Sequence, residues 1–270
     1  MGSLSHHSVR QVIENFGRTS IRAIEELGYI FTLLTESFYW MIFGRKHHQP
    51  VRIRSIFAEA MVIGVRATPI IIIISLAIGV MMAIQGIETL KTFGAESKVI
   101  IGIALSVTRE FAPLIVSILI AGRSGSAITA RLGTMLESQE IDALRVMGIN
   151  PVRYLVAPLL LAMMICIPAL TILGDFMGLL GGALYSAVEL NITVAIYLER
   201  SAAVLSWNDI SQGLIKSVVF AAIIVLVAVS NGFQVHGGAE GVGRATTRSV
   251  VLSLTFIVIA DMIFTFFLNR

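Results

Sequence analysis

Residues 123–153 read RSGSAITARLGTMLESQEIDALRVMGINPVR, and this polar stretch with four arginines lies between two long apolar segments. A tight turn is enough to connect two such segments, whereas this connection is long enough for an amphipathic helix. Gly148 and then Pro151 are residue types that commonly end a helix. The stretch therefore predicts a helix over about 132–150, held at the surface of the medium that the two apolar segments enter.

The composition identifies that medium as a lipid bilayer. Of the 270 residues, 56% are hydrophobic and 14% are charged, and the mean hydropathy is +0.86, whereas soluble domains have about 25% charged residues. Long continuous apolar runs exclude a transmembrane β-barrel, whose strands alternate. We predict an all-α polytopic integral membrane protein. The pI close to 9.2 fits the basic residues of cytoplasmic loops, so we expect no nucleic-acid partner.

Five segments are long and apolar enough to cross a bilayer, which takes about 20 residues: 56–84, 98–122, 153–184, 213–235 and 248–268. Cytoplasmic loops carry most of the Lys and Arg residues outside the spans. One side has thirteen and the other has four, which predicts a cytoplasmic N-terminus and a C-terminus on the opposite side. In the third span, Gly174, Gly178 and Gly182 form a small-residue ridge that suits helix packing within a subunit or between two subunits.

Residues 1–55 precede the first span, and 9–43 within them have the pattern of an amphipathic helix. Charged residues such as Arg18 and Arg22 fall on one side of it. The other side is apolar and contains Val12, Phe16, Ala23, Leu27, Ile30, Phe31, Leu34 and Phe38. The pattern predicts an interfacial helix along the inner leaflet, and an ordinary soluble helix packed on a partner is the alternative.

Two adjacent charges, Arg109 and Glu110, fall near the middle of the second span. A charged side chain at the centre of a membrane helix costs about 2.5–3.5 kcal/mol on insertion scales. Pro113 has no N–H, so the carbonyl of Arg109 loses its helical partner. These groups predict a polar site for anionic headgroups or coupled ions. A buried ion pair that only holds helices together is the other interpretation.

Asp261, in the last span, is the other costly residue. A packing ion pair with Arg66 or Arg109 and a direct functional role are both consistent with its position. Arg66 lies toward the cytoplasmic end of its span, where a long side chain can also snorkel to the interface.

The chain lacks the motifs of several enzyme classes. No Walker A pattern occurs, and the glycine-rich stretch 237–243 has no Lys-Ser/Thr ending. All five histidines lie outside the spans and form no His-Glu-x-x-His, which argues against an intramembrane metalloprotease. We expect no catalytic residue, metal or cofactor in this chain.

Five ordered motifs give the chain a resemblance to a known family. They are Leu105-Ser-Val-Thr-Arg-Glu-Phe-Ala-Pro113, Ala121-Gly-Arg-Ser-Gly-Ser-Ala127, Glu140 to Pro151, Ile215-Lys-Ser-Val-Val-Phe220 and Gly243-Arg-Ala-Thr-Thr-Arg-Ser-Val-Val251. With these motifs the chain resembles, from about residue 10 to its C-terminus, the MlaE (YrbE-type) permeases of bacterial ABC transporters that move phospholipid between the inner and outer membranes.

The resemblance implies a homodimeric permease of the bacterial inner membrane, with five spans and an N-terminal interfacial helix per subunit. It also implies two cytoplasmic ATPase subunits, which hold ATP and Mg, and a periplasmic ring of MCE-domain proteins. Arg109 and Glu110 would line the lipid cavity. The helix over about 132–150 would be the coupling helix, and the residues assigned to coupling are Glu137, Glu140, Asp142, Arg145 and Gly148.

An ion-coupled secondary transporter is the alternative, with Arg109, Glu110 and Asp261 as a proton relay. Against it, five spans show no obvious inverted repeat, and the amphipathic helix between two spans would have no task. A purely structural membrane anchor would not need the buried charges.

Overall fold

The computed structural model describes residues 21, 24–41, 43, 53–95 and 98–268, and within those ranges it is helical with short turns and no strand. The helices are α1 (24–41), α2 (Ile53–Lys91), α3 (Val99–Glu137), α4 (Glu140–Val146), α5 (Val152–Glu189), α6 (Val194–Val204), α7 (Trp207–Gly232) and α8 (Gly238–Leu268). Among them α2, α3, α5, α7 and α8 are long and apolar enough to span a membrane. This confirms the predicted class and the five spans, although most of the helices extend beyond the predicted ends.

Wide π-helical turns occur shortly before a proline in three of the long helices, within α2 and α3 and at the start of α5. Met61–Val65 precedes Pro69 in α2, Val107–Phe111 precedes Pro113 in α3, and Val152–Val156 precedes Pro158 in α5. A proline ring clashes with the carbonyl four residues earlier and cannot bond to it, and a wider turn accommodates both effects. A fourth π turn, Ala121–Gly125, has no proline after it in α3.

Helices α2 and α5 are in backbone contact. A methyl group added at Gly79 would lie 1.9 Å from the carbonyl oxygen of Gly178, and one added at Gly181 would lie 2.1 Å from that of Leu76. Only glycine permits such an approach. Gly174 and Gly182 also face neighbours in the same chain, so the predicted glycine ridge packs within the subunit.

Helix α1 packs one side against the bundle and exposes an apolar side. Leu33 and Ser37 are buried against the bundle, whereas Leu27, Phe31 and Phe38 of the predicted stripe are exposed. An outward apolar side on a helix next to membrane spans suits the interface of a bilayer. Polar contacts hold the inward side: Glu26 pairs with Arg248 of α8, and the Asn150 amide donates to Glu36 at 2.7 Å. Val12, Phe16 and Ala23 lie outside the described residues.

The single helix predicted over 132–150 is instead divided in two. Helix α3 continues to Glu137, Gln139 takes a left-handed conformation with φ 59°, and α4 starts at Glu140. The reason lies in two fully buried side chains, Leu132 and Ile141. Nine residues apart, they would point in opposite directions on one continuous helix, because each residue turns about 100°. Breaking the helix lets both side chains face the core.

Candidate functional site

A close approach of α3 and α7 creates the polar site inside the bundle. A methyl group added at Gly213 of α7 would lie only 2.4 Å from the carbonyl oxygen of Thr108. Thr108 belongs to the π turn Val107–Phe111, which also carries Arg109 and Glu110. The wide turn and the missing side chain at Gly213 together place both charged residues directly beside α7.

Arg109 is bound to Asp209 in the first turn of α7. Its Nε donates to Asp209 Oδ1 at 2.7 Å, and a terminal guanidinium nitrogen contacts the same oxygen. The other oxygen, Oδ2, accepts from the backbone N–H and the hydroxyl of Ser206 at 2.8 and 2.7 Å, which forms a capping box. The Asp209 side chain is 3% exposed and that of Arg109 is 34% exposed. The carboxylate is therefore fully used, while the guanidinium keeps accessible surface.

Lys216, two turns further along α7, is the centre of a second set of contacts. Its ammonium group donates to Glu110 Oε2 at 2.5 Å, to Asp261 Oδ1 at 2.9 Å and to Thr265 Oγ1 at 3.0 Å. An ammonium group has three N–H donors, so all of them are satisfied. The Lys216 side chain is 2% exposed, and a buried cation requires such pairing. Lys216 thus links α3, α7 and α8.

Glu110 completes this network without being enclosed by it. The Thr265 hydroxyl donates to Glu110 Oε1 at 3.0 Å, and the Glu110 side chain remains 30% exposed. We call Arg109, Glu110, Asp209, Lys216, Asp261 and Thr265 the intramembrane charge cluster. It contains two basic and three acidic side chains. Arg109 and Glu110 are its accessible members, so an incoming group meets a cation and a carboxylate side by side.

Arg109, Glu110 and Asp261, all singled out from the sequence, meet in this cluster. The predicted ion pair between Asp261 and Arg66 is wrong, because Asp261 pairs with Lys216. Arg66 instead lines a cavity between α2 and α3. Adjacent residues on a regular helix point about 100° apart, yet Arg109 and Glu110 both contact α7. The residues that they contact, Asp209 and Lys216, are seven positions apart on that helix.

Sequence reasoning missed Lys216 and Asp209. Lys216 could have been found, because it is the one lysine in the interior of the five predicted spans, Lys98 being the first residue of the second, and a buried cation needs a carboxylate. Asp209 precedes the predicted start of its span at 213. The signal for it was the spacing Ser206-x-x-Asp209, the pattern of a capping box at a helix N-terminus.

The residues predicted to contact a partner lie together on one exposed surface around α4. They are Glu137 at the end of α3, Glu140, Asp142 and Arg145 on α4, and Gly148 after it. Arg145 donates to Asp142 at 2.9 Å, and Gly148 has φ 73°. Val146 and Met147 expose 88% and 64% of their surface. The surface therefore combines charged side chains with an outward apolar pair.

The family described as Permease MlaE matches residues 56–267. A probable ABC transporter permease of Rickettsia typhi is 32% identical over 92% of this chain and 94% of its own length. The intermembrane phospholipid transport system permease protein MlaE of Haemophilus influenzae is 35% identical over 83% and 89%. The Arabidopsis thaliana chloroplast protein TRIGALACTOSYLDIACYLGLYCEROL 1 is 37% identical over 76% and 58%.

The family match covers all five long helices and the whole charge cluster. The names of two relatives describe an ABC transporter permease and a phospholipid transport system permease, and neither name supports the ion-coupled carrier. On the extent of this match, the chain belongs to the MlaE permease family.

Proposed function

We propose that this chain is the permease subunit of an ABC transporter that moves phospholipid between the inner and outer membranes of a bacterium. The observation that carries the proposal is the intramembrane charge cluster, in which Arg109 and Glu110 stay accessible while their partners are buried. The name of the Haemophilus influenzae relative, a phospholipid transport permease, supports the same substrate class.

The chemistry of a phospholipid headgroup matches the two accessible side chains. A guanidinium has five N–H donors, and two of its nitrogens are engaged by Asp209, so Arg109 has donors left for a phosphate oxygen. Glu110 offers a carboxylate to a cationic headgroup. Both interactions are stronger in an apolar surrounding than in water. The subunit changes no covalent bond, since it supplies only a place to hold and release lipid.

Energy for transport comes from a separate cytoplasmic ATPase that binds ATP and Mg. Its docking surface is the exposed part of α4, where Val146 and Met147 lie beside Glu140 and Arg145. Helix α4 is anchored to the bundle by Ile141, which is fully buried, and follows α3 directly. A displacement of α4 by two ATPase subunits is therefore passed along α3 toward Arg109 and Glu110.

The subunit works as a homodimer in the bacterial inner membrane, together with a periplasmic ring of MCE-domain proteins. The exposure of helix α8 supports the proposal of a homodimer. This helix is the least buried of the long helices and presents Val258, Met262 and Phe266 outward. The excess of basic residues on the side of residues 1–55 supports a cytoplasmic N-terminus and a periplasmic C-terminus.

The test is to extract the protein from native membranes in mild detergent and identify what accompanies it by native mass spectrometry. We expect an ATPase subunit and phospholipid. Arg109→Ala should carry less phospholipid than the original protein and keep the ATPase, because the docking surface is on α4. Arg200→Ala is the matched control, since Arg200 is an exposed arginine on α6. Recovery of a lone subunit, or equal lipid in both variants, would contradict the proposal.

A further inference from the structure

A second charged site lies between α2 and α3, well away from the charge cluster. It is a cavity of about 220 Å³ with three arginines around it, Arg66, Arg123 and Arg131, and with Glu59 as an acidic neighbour. A water molecule takes about 30 Å³, so the cavity has room for a small anionic group. Arg123 is 13 residues from Glu110 along α3, which is about 20 Å at the helical rise of 1.5 Å per residue.

The charges around the cavity are unbalanced. Arg131 donates to Glu59 at 2.8 Å. Arg66 and Arg123, by contrast, have no ion-pair partner within the part of the chain that the structure describes. Two guanidinium groups therefore face one cavity without a carboxylate of their own. Like charges held together in this way attract an anion, and a guanidinium fits a phosphate group with two parallel hydrogen bonds.

The position of the cavity along α2 and α3 corresponds to the level of the membrane surface. Arg66 directly precedes the uncharged segment 67–87 of α2, and Arg123 directly follows the uncharged segment 111–122 of α3. Both arginines thus mark the end of an apolar stretch on the side of residues 1–55. The cavity wall also contains Val62 and Ile63 of α2. A ligand there meets cations at the level of lipid headgroups and apolar side chains beside them.

We propose that this cavity binds the phosphate of an anionic phospholipid from the leaflet on the side of residues 1–55, the cytoplasmic leaflet in the proposed orientation. The site is distinct from the charge cluster and does not depend on transport. It requires only that the chain lies in a membrane. The acyl chains stay in the bilayer, the glycerol lies against Val62 and Ile63, and Arg66 and Arg123 hold the phosphate oxygens.

The experiment measures lipid binding to the full-length protein in detergent by native mass spectrometry, titrating phosphatidylglycerol against phosphatidylcholine. The test variant is Arg66→Gln with Arg123→Gln. Because neither residue pairs with a carboxylate among the described residues, their replacement leaves no buried charge and the fold should persist. Arg244→Gln is the control, since its side chain is 71% exposed, pairs within α8 and lies outside the cavity.

We expect the protein to prefer phosphatidylglycerol and the double variant to weaken its binding by about tenfold or more, the usual effect of losing a hydrogen bond between charged groups. The control should bind as the original protein does. Equal binding of the two lipids, or unchanged binding in the double variant, would overturn the proposal. A second experiment adds inorganic phosphate without lipid and follows its binding by ³¹P NMR. Phosphate binding that depends on Arg66 and Arg123, combined with no preference among the lipids, would show that the ligand is free phosphate and would overturn the proposal of a lipid. In Arg109→Ala, the binding of phosphatidylglycerol that depends on Arg66 and Arg123 should remain, and this separates the site from the proposed function.

Discussion

Replacing Lys216 by Met removes the cation at the centre of the charge cluster while keeping a side chain of similar length. Glu110 and Asp261, which contact the ammonium at 2.5 and 2.9 Å, then lie close together without a positive charge. Because the Lys216 side chain is 2% exposed, water cannot take its place. Removing one partner of a buried ion pair costs about 3–5 kcal/mol, and we expect a loss of that size in the free energy of unfolding.

The assay is reversible unfolding of the purified protein in mixed micelles with increasing SDS. Lys91→Met is the matched control, because Lys91 also pairs with a glutamate, at 3.4 Å, but its side chain is 59% exposed. Such surface pairs contribute about 0–1 kcal/mol. Adding Glu110→Gln and Asp261→Asn to Lys216→Met should restore most of the stability, since no unpaired charge remains. If Lys216→Met costs no more than the control, or the triple variant is no better than the single one, the reasoning fails.

Three further predictions concern other parts of the molecule. Gly213→Ala puts a methyl group 2.4 Å from the carbonyl oxygen of Thr108; the overpacking should cost about 1–3 kcal/mol, and an unchanged SDS unfolding curve would show that α3 and α7 tolerate a side chain there. Glu140→Lys with Arg145→Glu alters only exposed side chains of α4, so the subunit should insert normally while ATP hydrolysis by the reconstituted transporter is uncoupled from lipid transport; normal lipid-stimulated turnover would refute the docking surface. Burial raises the pKa of Tyr197 from 10.0 to about 12, so its contribution to stability is present below pH 10 and is lost as the pH rises toward about 12. In Tyr197→Phe that loss should vanish with little effect near pH 7, because the hydroxyl has no hydrogen-bond partner within the described part of the chain; identical thermal unfolding profiles of both proteins from neutral to alkaline pH would contradict this.

The number and type of the spans could be predicted because they depend on local composition. A run of about 20 apolar residues is favourable in lipid whatever its neighbours are. The same principle marked Arg109, Glu110 and Asp261 as costly, since the cost of a charge in a span is also a property of its own segment. The partners of these three residues could not be predicted from local composition. Lys216 is 106 residues from Glu110 and 45 from Asp261 along the chain.

The break in the helix predicted over 132–150 shows a second limit of prediction from sequence. The pattern over 132–150 is compatible with one amphipathic helix, whereas α4 ends at Val146, before Gly148. The break at Gln139 exists because Leu132 and Ile141 must both be buried, and that requirement comes from the bundle against which they pack. Local helix preference gives way to tertiary burial at this point.

By itself, then, the sequence determined that this protein is a five-span helical membrane protein and that Arg109, Glu110 and Asp261 are costly charges in its spans, and it predicted a partner surface around α4. Only the tertiary structure decided that Lys216 binds Glu110 and Asp261, that Arg109 binds Asp209, and that Arg66 belongs to a separate cavity. Insertion into lipid is governed by each segment alone, and so it follows from composition. The pairing of buried charges depends on which helices approach closely enough, and that approach is set by π turns and by glycines such as Gly213 that allow backbones to touch.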